Sequence, residues 1–212
     1  MLALSIRRNS LWLALFALVA TALVTATWVS TIERIEANEQ AAEERALLEI
    51  LPTRQLDSAL SENSVLVDDV ELLGLRGPTR AYLARHNGET FAVVLPAIAR
   101  DGYSGDIRLI VGIDRDGVIT GVRVVSHRET PGLGDKIERS KSDWIEAFAG
   151  LSLEALEAAD WHVKKDGGVF DQFTGATITP RAVVHAVERV LQYYAANQPA
   201  LVETDVTEAH DG

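Results

Sequence analysis

The chain has 212 residues, which is enough for one domain of ordinary size plus attachments. Its formal net charge of −11 argues against nucleic acid as a partner, because binding to a phosphate backbone needs clustered Lys and Arg. The chain has no cysteine, which excludes disulfides, thiolate zinc sites, cysteine-ligated iron–sulfur clusters and thiol nucleophiles.

An apolar segment near the N-terminus predicts a transmembrane helix. Residues 11–29 contain no charge and no proline, and as a helix they are long enough to cross a bilayer core of about 30 Å. A tryptophan lies near each end, where indoles prefer the lipid–water boundary. Because Arg7 and Arg8 precede the segment, residues 1–10 are expected in the cytoplasm. The rest of the chain is then expected in the periplasm, with the helix in a bacterial inner membrane.

The competing interpretation of this segment is a cleaved signal peptide. A positive n-region, an apolar run and Val24-Thr25-Ala26 would make an acceptable cleavage site. The apolar run continues past that site to Val29, which favours retention as a single-pass anchor.

Two acidic segments flank the rest of the chain. Residues 30–52 are rich in Ala, Glu and Leu and end at Pro52, which predicts a helical stalk with a solvated first half. Residues 197–212 hold four acids and neither Lys nor Arg, which predicts a disordered tail. Residues 53–196 are therefore expected to form one domain.

This domain is predicted to be α+β, with an antiparallel sheet and packed helices. Alternating apolar residues indicate successive strands, and the Asn87-Gly88 pair suits a tight hairpin turn. Antiparallel strands in succession imply a sheet with one buried face. The predicted strands are Val65–Leu73, Arg80–Ala84, Thr90–Leu95, Asp106–Ile113 and Val118–Ser126.

The helical segments are predicted after the last of these strands. A short helix is expected over Asp143–Ala149, capped by Ser142 or Asp143, with a second helical piece at Leu153–Ala159 and a short strand at Trp161–Val163. The final helix is expected from Pro180 to about Ala196, with Thr179 as its N-cap, because proline suits the first helical position. Its apolar residues fall on one face at helical spacing: Val183, Val187, Val190, Leu191 and Tyr194.

Two irregular segments carry the candidate chemistry, Glu129–Gly134 and Asp171–Thr177. In the second, two hydroxyls surround Gly175 and Ala176, which are too small to block a close approach, just before a helix start. Hydroxyls and backbone N–H groups in this arrangement suit a phosphate, although a short Gly-Ala-Thr string is also common in a well-capped turn. The first segment, which alone would be a structural turn, can supply polar groups along the edge of a flavin ring.

The string DQFTGAT of residues 171–177, followed by a helix start, resembles the flavinylation motif of FMN-binding domains. In that family a separate FAD-dependent transferase moves FMN from FAD onto the last threonine. Together with the single span and ETPGLG at residues 129–134, the chain resembles the G subunits of the ion-translocating Rnf/Rsx electron transport complexes. The resemblance covers nearly the whole chain, and its two motifs occur in the family's order and spacing.

The resemblance implies a covalently flavinylated electron carrier with no substrate chemistry of its own. It implies a membrane complex that couples redox reactions of NADH and ferredoxin to Na⁺ or H⁺ transport, in contact with the other membrane and peripheral subunits. Thr177 would carry FMN through a phosphodiester. The other residues expected at the cofactor are, in the transferase motif, Asp171, Thr174, Gly175 and Ala176, and beside the flavin, Glu129, Thr130, Gly132 and Leu133.

Other functions are weighed against this one. The C subunit of the Na⁺-translocating NADH:quinone oxidoreductase resembles the chain in both motifs, and a membrane-tethered sensor that holds an anion without redox work is the alternative from another class. His127 and Glu129 could ligate a metal, but the histidines are scattered, and Ser126 beside His127 lacks the context of a hydrolase nucleophile. His162 with Lys164 and Lys165 forms a modest basic cluster, facing either phosphate or solvent.

Overall fold

The computed structural model describes residues 2–51, 56, 60 and 63–203, so residues 204–212 of the predicted tail lie outside the described part. By its internal contacts the chain divides into two compact units, Met1–Ala42 and Glu43–Gly212. The second unit therefore begins within the segment predicted as a stalk, before the expected boundary at residue 53.

The first unit consists of helix α1, which spans Leu2–Ile50 and so extends into the second unit. Its segment Ile6–Ile32 is long and apolar enough to cross a membrane, judged by length and composition. Large apolar side chains along it, including Leu11, Phe16 and Val24, are exposed. The predicted transmembrane helix over residues 11–29 lies inside this segment.

The second unit is built on a five-stranded antiparallel sheet in the order β1-β2-β3-β4-β5. The predicted hairpins are confirmed, with Asn87 and Gly88 at the β2–β3 turn both at positive φ. The first strand was predicted to reach Leu73 and stops earlier, because Asp69 forms a turn that accepts the Leu72 N–H on its side chain. The strands are β1 Ser64–Val67, β2 Thr79–His86, β3 Glu89–Ala99, β4 Ile107–Asp114 and β5 Ile119–Ser126.

One face of the sheet packs against the C-terminal helix α2, Ile178–Glu203. The predicted apolar stripe is buried, and Ala182, Val184 and Ala186 are buried as well, so more of the helix surface is covered than the stripe alone. The predicted end at Ala196 is wrong. The helix continues through Pro199, and the buried side chain of Leu201 packs its last turn into the same core.

The opposite face of the sheet packs against the last turns of α1. Ala46, Leu47 and Ile50 are buried there with residues of β2, β3 and β4. Ile50 lies over the cross-strand pair Gly112 and Gly121, where the absence of side chains lets the helix approach the sheet. The end of the predicted stalk is therefore part of the domain core, and both faces of the sheet are covered.

This close approach predicts that Gly121→Val destabilises the domain. A Cβ at Gly121 would lie 3.0 Å from both Cβ and Cγ2 of Ile50, so a branched side chain overpacks the contact. We expect a loss of about 1–3 kcal/mol in the free energy of unfolding, measured by urea titration of the detergent-solubilised chain. Gly77→Ala is the control, because nothing lies within 4 Å of a Cβ added there. Equal midpoints for the two variants would contradict this packing.

The segment between β5 and α2 is mostly irregular and is held by aromatic packing. The helix predicted at Asp143 is a 3₁₀ helix, Asp143–Phe148, capped by Ser142 as expected. The helix predicted at Leu153–Ala159 is replaced by turns and a short 3₁₀ helix, Ala158–Asp160. The predicted strand Trp161–Val163 is reduced to a single bridge from Val163 to Phe170. This segment is held together by contacts among five aromatic rings, those of Trp144, Phe148, Trp161, Phe170 and Phe173.

Candidate functional site

A cavity of about 200 Å³ lies where the two irregular segments meet the start of α2. The sequence places these segments some forty residues apart, and the fold brings them together. Six of the nine predicted site residues line the cavity. Its lining is Tyr103, Glu129, Thr130, Leu133, Gly134, Gly175, Ala176, Thr177, Ile178 and Thr179.

The first wall is the loop that follows β5. The Thr130 carbonyl accepts hydrogen bonds from the N–H groups of Leu133 and Gly134, at 3.1 and 3.0 Å, which closes a tight turn. Gly132 has a φ of +79°, a conformation that glycine adopts without strain. The turn leaves the Leu133 side chain 42% exposed at the cavity edge.

The second wall is a β-turn from Phe173 to Ala176. The Ala176 N–H donates to the Phe173 carbonyl at 3.1 Å, and Gly175 has a φ of +82°, as a type II turn requires at its third position. Phe173 is buried and fixes the turn through an edge-on contact with Trp144, with ring centroids 5.2 Å apart. A Cβ at Gly175 would lie 3.6 Å from Leu133, so the two walls are in contact.

The start of α2 differs from the prediction. The first helical residue is Ile178, and the carbonyl of Thr177 accepts the Arg181 N–H, so Thr177 and not Thr179 is the N-cap. Pro180 is the third helical residue rather than the first. It is tolerated there because the N–H groups of the first turn have no partner within the helix.

The reason for the early helix start is a buried contact between Thr179 and Glu129. The Thr179 hydroxyl donates to Glu129 Oε2, and the Ser104 N–H donates to Glu129 Oε1 at 2.8 Å. Thr179 is 0% exposed and Glu129 is 4% exposed. Through these two bonds, Glu129 joins its own loop to the first turn of α2 and to the loop between β3 and β4. We call this pair of hydrogen bonds the Glu129 tie.

The Glu129 tie depends on small neighbours. A Cβ at Gly134 would lie 2.9 Å from Glu129 Oε2 and 2.9 Å from the Thr179 hydroxyl oxygen. A Cβ at Gly102 would lie 3.0 Å from Glu129 Oε1. The two glycines therefore leave just enough space for the buried carboxyl group and its partners.

Three predicted site residues do not line the cavity. Asp171 is exposed and forms an ion pair with Lys164 at 2.6 Å, while its carbonyl accepts the Trp144 indole N–H at 2.7 Å. Thr174 is exposed within the β-turn, and Gly132 lies at the tip of the other turn. All three shape or flank the two walls.

Four cavity residues were missed from the sequence: Tyr103, Gly134, Ile178 and Thr179. Tyr103 follows Asp101-Gly102 in a short loop, and an aromatic residue in such a loop is the signal that could have found it. It is 69% exposed, and Ile178 is 43% exposed, so with Leu133 they put three apolar side chains in water at the cavity.

Two basic residues near the second segment, Lys164 and Arg181, are paired with carboxylates. Arg181 forms two hydrogen bonds with the carboxyl group of Asp166, at 2.7 and 3.0 Å. This contact lowers the pKa of Asp166 and raises that of Arg181. In the cluster predicted to face phosphate or solvent, Lys164 is paired with Asp171, and Lys165 is exposed. Backbone N–H groups and hydroxyls then remain as donors for an anion at the cavity itself, which no Lys or Arg among the described residues lines.

The structure does not favour a metal site at His127 and Glu129. The His127 ring accepts the Glu129 N–H at Nδ1, at 3.0 Å, and its Nε2 lies 2.8 Å from Glu138. Across the described ranges, no group of three or more His, Asp or Glu residues is placed to hold a metal ion.

The cavity fits part of an FMN molecule. Small-molecule sites that bury most of a ligand are roughly 300–1,000 Å³, whereas this cavity is about 200 Å³. The second wall brings the Thr177 hydroxyl to the cavity beside Gly175 and Ala176, two small residues, and this combination suits a phosphate. The exposed apolar side chains of Tyr103, Leu133 and Ile178 suit the ring, which would remain partly in contact with water.

Two known families match parts of the chain. Residues 102–192 match the family described as FMN-binding domain, and residues 1–50 match the family described as RnfG N-terminal region. The first match contains both walls of the cavity and most of α2.

The full chain is similar to curated proteins that share one name, the G subunit of the ion-translocating oxidoreductase complex. It is 49% identical over 207 residues to that protein of Pseudomonas aeruginosa (strain UCBPP-PA14), covering 98% of this chain and 97% of the relative. The chain is 48% identical over 198 residues to the protein of the same name from Shewanella loihica, and the match covers 93% of both chains. It is 47% identical over 197 residues to that from Vibrio cholerae (strain O395), covering 93% of this chain and 94% of the relative.

Among solved structures, the fold is similar to the C subunit of the Na⁺-translocating NADH-quinone reductase from Parabacteroides distasonis. The TM-score is 0.50 at 19% identity, and the match covers 82% of this chain and 98% of that one. At this identity the similarity concerns the fold alone, and it confirms the predicted α+β class.

Proposed function

Since the chain belongs to the family of G subunits of ion-translocating oxidoreductase complexes, we propose that it carries FMN covalently on Thr177 and relays electrons within its complex. Membership makes it an electron-transfer flavoprotein subunit of a multi-subunit membrane complex. The covalent bond, the coupling of NADH and ferredoxin redox reactions to Na⁺ or H⁺ movement, and placement in the inner membrane belong to the proposal. The domain would lie in the periplasm, with Arg7 and Arg8 on the cytoplasmic side.

The observation that carries the proposal is the position of Thr177. It is the last residue of the flavinylation motif, it lines the cavity formed by the two irregular segments, and it is partly exposed. Gly175 and Ala176 beside it are small enough for a second protein to reach its hydroxyl. The hydroxyl is therefore accessible both to a transferase and to the space where the flavin would lie.

The attachment reaction is a phosphoryl-type transfer from FAD. The Thr177 hydroxyl oxygen forms a bond with the phosphorus of the FMN half of FAD. The pyrophosphate bond of FAD breaks, AMP leaves, and the hydroxyl proton passes to a base of the FAD-dependent transferase. The product is a phosphodiester, and no electrons are exchanged in this step.

Magnitudes explain why a covalent bond is useful at this site. An anion near an exposed helix N-terminus gains only about 0.3–1 kcal/mol, whereas micromolar retention of a cofactor requires about 8 kcal/mol. Within the described residues, the nearby cations Lys164 and Arg181 are already paired with carboxylates. A small cavity with paired cations suits a ligand that is held by an ester bond.

When bound, FMN supplies the one- and two-electron chemistry of an electron carrier. The residues of this chain contribute attachment, orientation and access. Thr177 would hold the phosphate, Glu129 fixes the loop beside it, and the exposed side chains of Tyr103, Leu133 and Ile178 would leave part of the ring open. An open ring edge suits electron exchange with neighbouring subunits.

The proposal is tested by the mass of the intact chain isolated from its native membrane. We expect one FMN adduct, and a band that fluoresces under ultraviolet light after denaturing electrophoresis. A chain with the mass of its amino acids alone, from cells that contain the transferase, would favour the anion-binding sensor instead.

A further inference from the structure

The first turn of α2 lacks a backbone donor that commonly holds an N-cap hydroxyl. Thr177 is the N-cap, and Ile178, Thr179 and Pro180 are the next three residues. A threonine N-cap accepts a hydrogen bond from the N–H of the second or third helical residue, and the third is its partner in the capping box. Here the third residue is Pro180, which has no N–H, and the second residue, Thr179, keeps its N–H but does not donate it to the Thr177 hydroxyl.

The Thr177 hydroxyl is left without a hydrogen bond in the described part of the chain, and it lies at the cavity. The helix that begins at Asp143 behaves differently, because the hydroxyl of its cap, Ser142, accepts the N–H of the second helical residue, Trp144, at 3.0 Å. The Ser142 hydroxyl, for which no chemistry is proposed, therefore forms a cap bond. The Thr177 hydroxyl, at the proposed attachment site, does not.

A cap bond would oppose the attachment reaction in two ways. It would occupy a lone pair of the oxygen that must attack phosphorus, and it would turn the side chain back over the first helical turn. The Glu129 tie meanwhile holds that turn in place through Thr179, so the backbone of Thr177 stays beside the cavity.

We propose that Pro180 is a positioning residue for flavin transfer: by removing the N–H of the third helical position, it keeps the Thr177 hydroxyl uncapped and directed into the cavity. This inference rests on the proposed function and goes further, because it assigns a role in modification to a residue outside the string DQFTGAT. Pro180 is buried, so its ring also packs the first turn into the domain.

The test compares Pro180→Ala with the wild-type full chain in detergent, prepared without the transferase. Each is incubated with FAD and purified transferase, and the FMN adduct is followed by intact mass. We expect the rate constant for FMN transfer at saturating FAD to fall about fivefold in Pro180→Ala, because the Thr177 hydroxyl would then be held in a cap bond for most of the time. The KM for FAD should not change. Pro199→Ala is the control for gaining an N–H within the same helix, at an exposed position far from its first turn.

A second readout reports on the cap bond itself. In Pro180→Ala, the new amide at position 180 is expected to exchange slowly with solvent, as measured by NMR. The protection should disappear when Thr177→Val is added, because valine has no oxygen to accept the bond. A change in general stability would alter neither this dependence on Thr177 nor the unchanged KM.

The possible outcomes distinguish the role of Pro180 from the proposed function. Modification of Pro180→Ala at the wild-type rate, or slower modification without Thr177-dependent protection of amide 180, would overturn the role of Pro180 alone. A wild-type chain that takes up no FMN would overturn the proposed function, and this inference with it.

Discussion

Thr177→Ala is expected to abolish covalent attachment of FMN. Only a hydroxyl oxygen can form the ester, and alanine at this position leaves the cavity without a nucleophile at the N-cap of α2. Intact mass should show no adduct, and the fluorescent band should vanish from the denaturing gel. The fold should persist, because within the described residues the Thr177 side chain forms no hydrogen bond.

Two matched substitutions make this result specific. Thr177→Ser keeps a hydroxyl and should retain part of the modification, while Thr174→Ala removes an exposed hydroxyl that does not line the cavity and should lower flavinylation less than Thr177→Ala. The ratio of flavin absorbance to protein concentration measures the extent of flavinylation in all three variants. An adduct of unchanged mass on Thr177→Ala would place the bond on another residue and refute the assignment.

The sequence predicted the elements whose signals are local. The hairpin turn at Asn87-Gly88, the alternation in β4 and β5, and the apolar stripe of α2 are each encoded within a few residues. The antiparallel sheet, the C-terminal helix and an apolar N-terminal helix were therefore confirmed. The functional assignment rested on the two motifs, and the family of G subunits is the one that the comparisons support.

The errors fall where distant contacts override local preference. Thr179 has the local signal of an N-cap because proline favours the first helical position. Its hydroxyl is instead used by Glu129, fifty residues away in sequence, and the helix starts earlier. Ile50 falls by sequence in the predicted stalk, and its partners Gly112 and Gly121 give no sign from sequence that they meet a helix. Such pairings become visible only in the folded chain.

The Glu129 tie leads to the second large expected effect: Glu129→Ala should destabilise the domain by about 2–5 kcal/mol. The substitution leaves the Ser104 N–H and the Thr179 hydroxyl without their acceptor and opens a cavity at a residue that is 4% exposed. Because Thr179 then loses its anchor, the first turn of α2 should loosen and flavinylation of Thr177 should fall as well. Urea titration and intact mass measure the two effects.

Glu129→Gln separates the hydrogen bonds from the charge. Glutamine keeps the shape, its oxygen can accept the Ser104 N–H, and its amide can donate to the Thr179 hydroxyl oxygen, so the loss should be only about 1 kcal/mol. Glu154→Ala, at an exposed acid, is the control for a change in net charge. If Glu129→Ala unfolds at the same urea concentration as Glu154→Ala, the tie does not hold the site together. If Glu129→Gln is as unstable as Glu129→Ala, charge rather than hydrogen bonding holds these three segments in place.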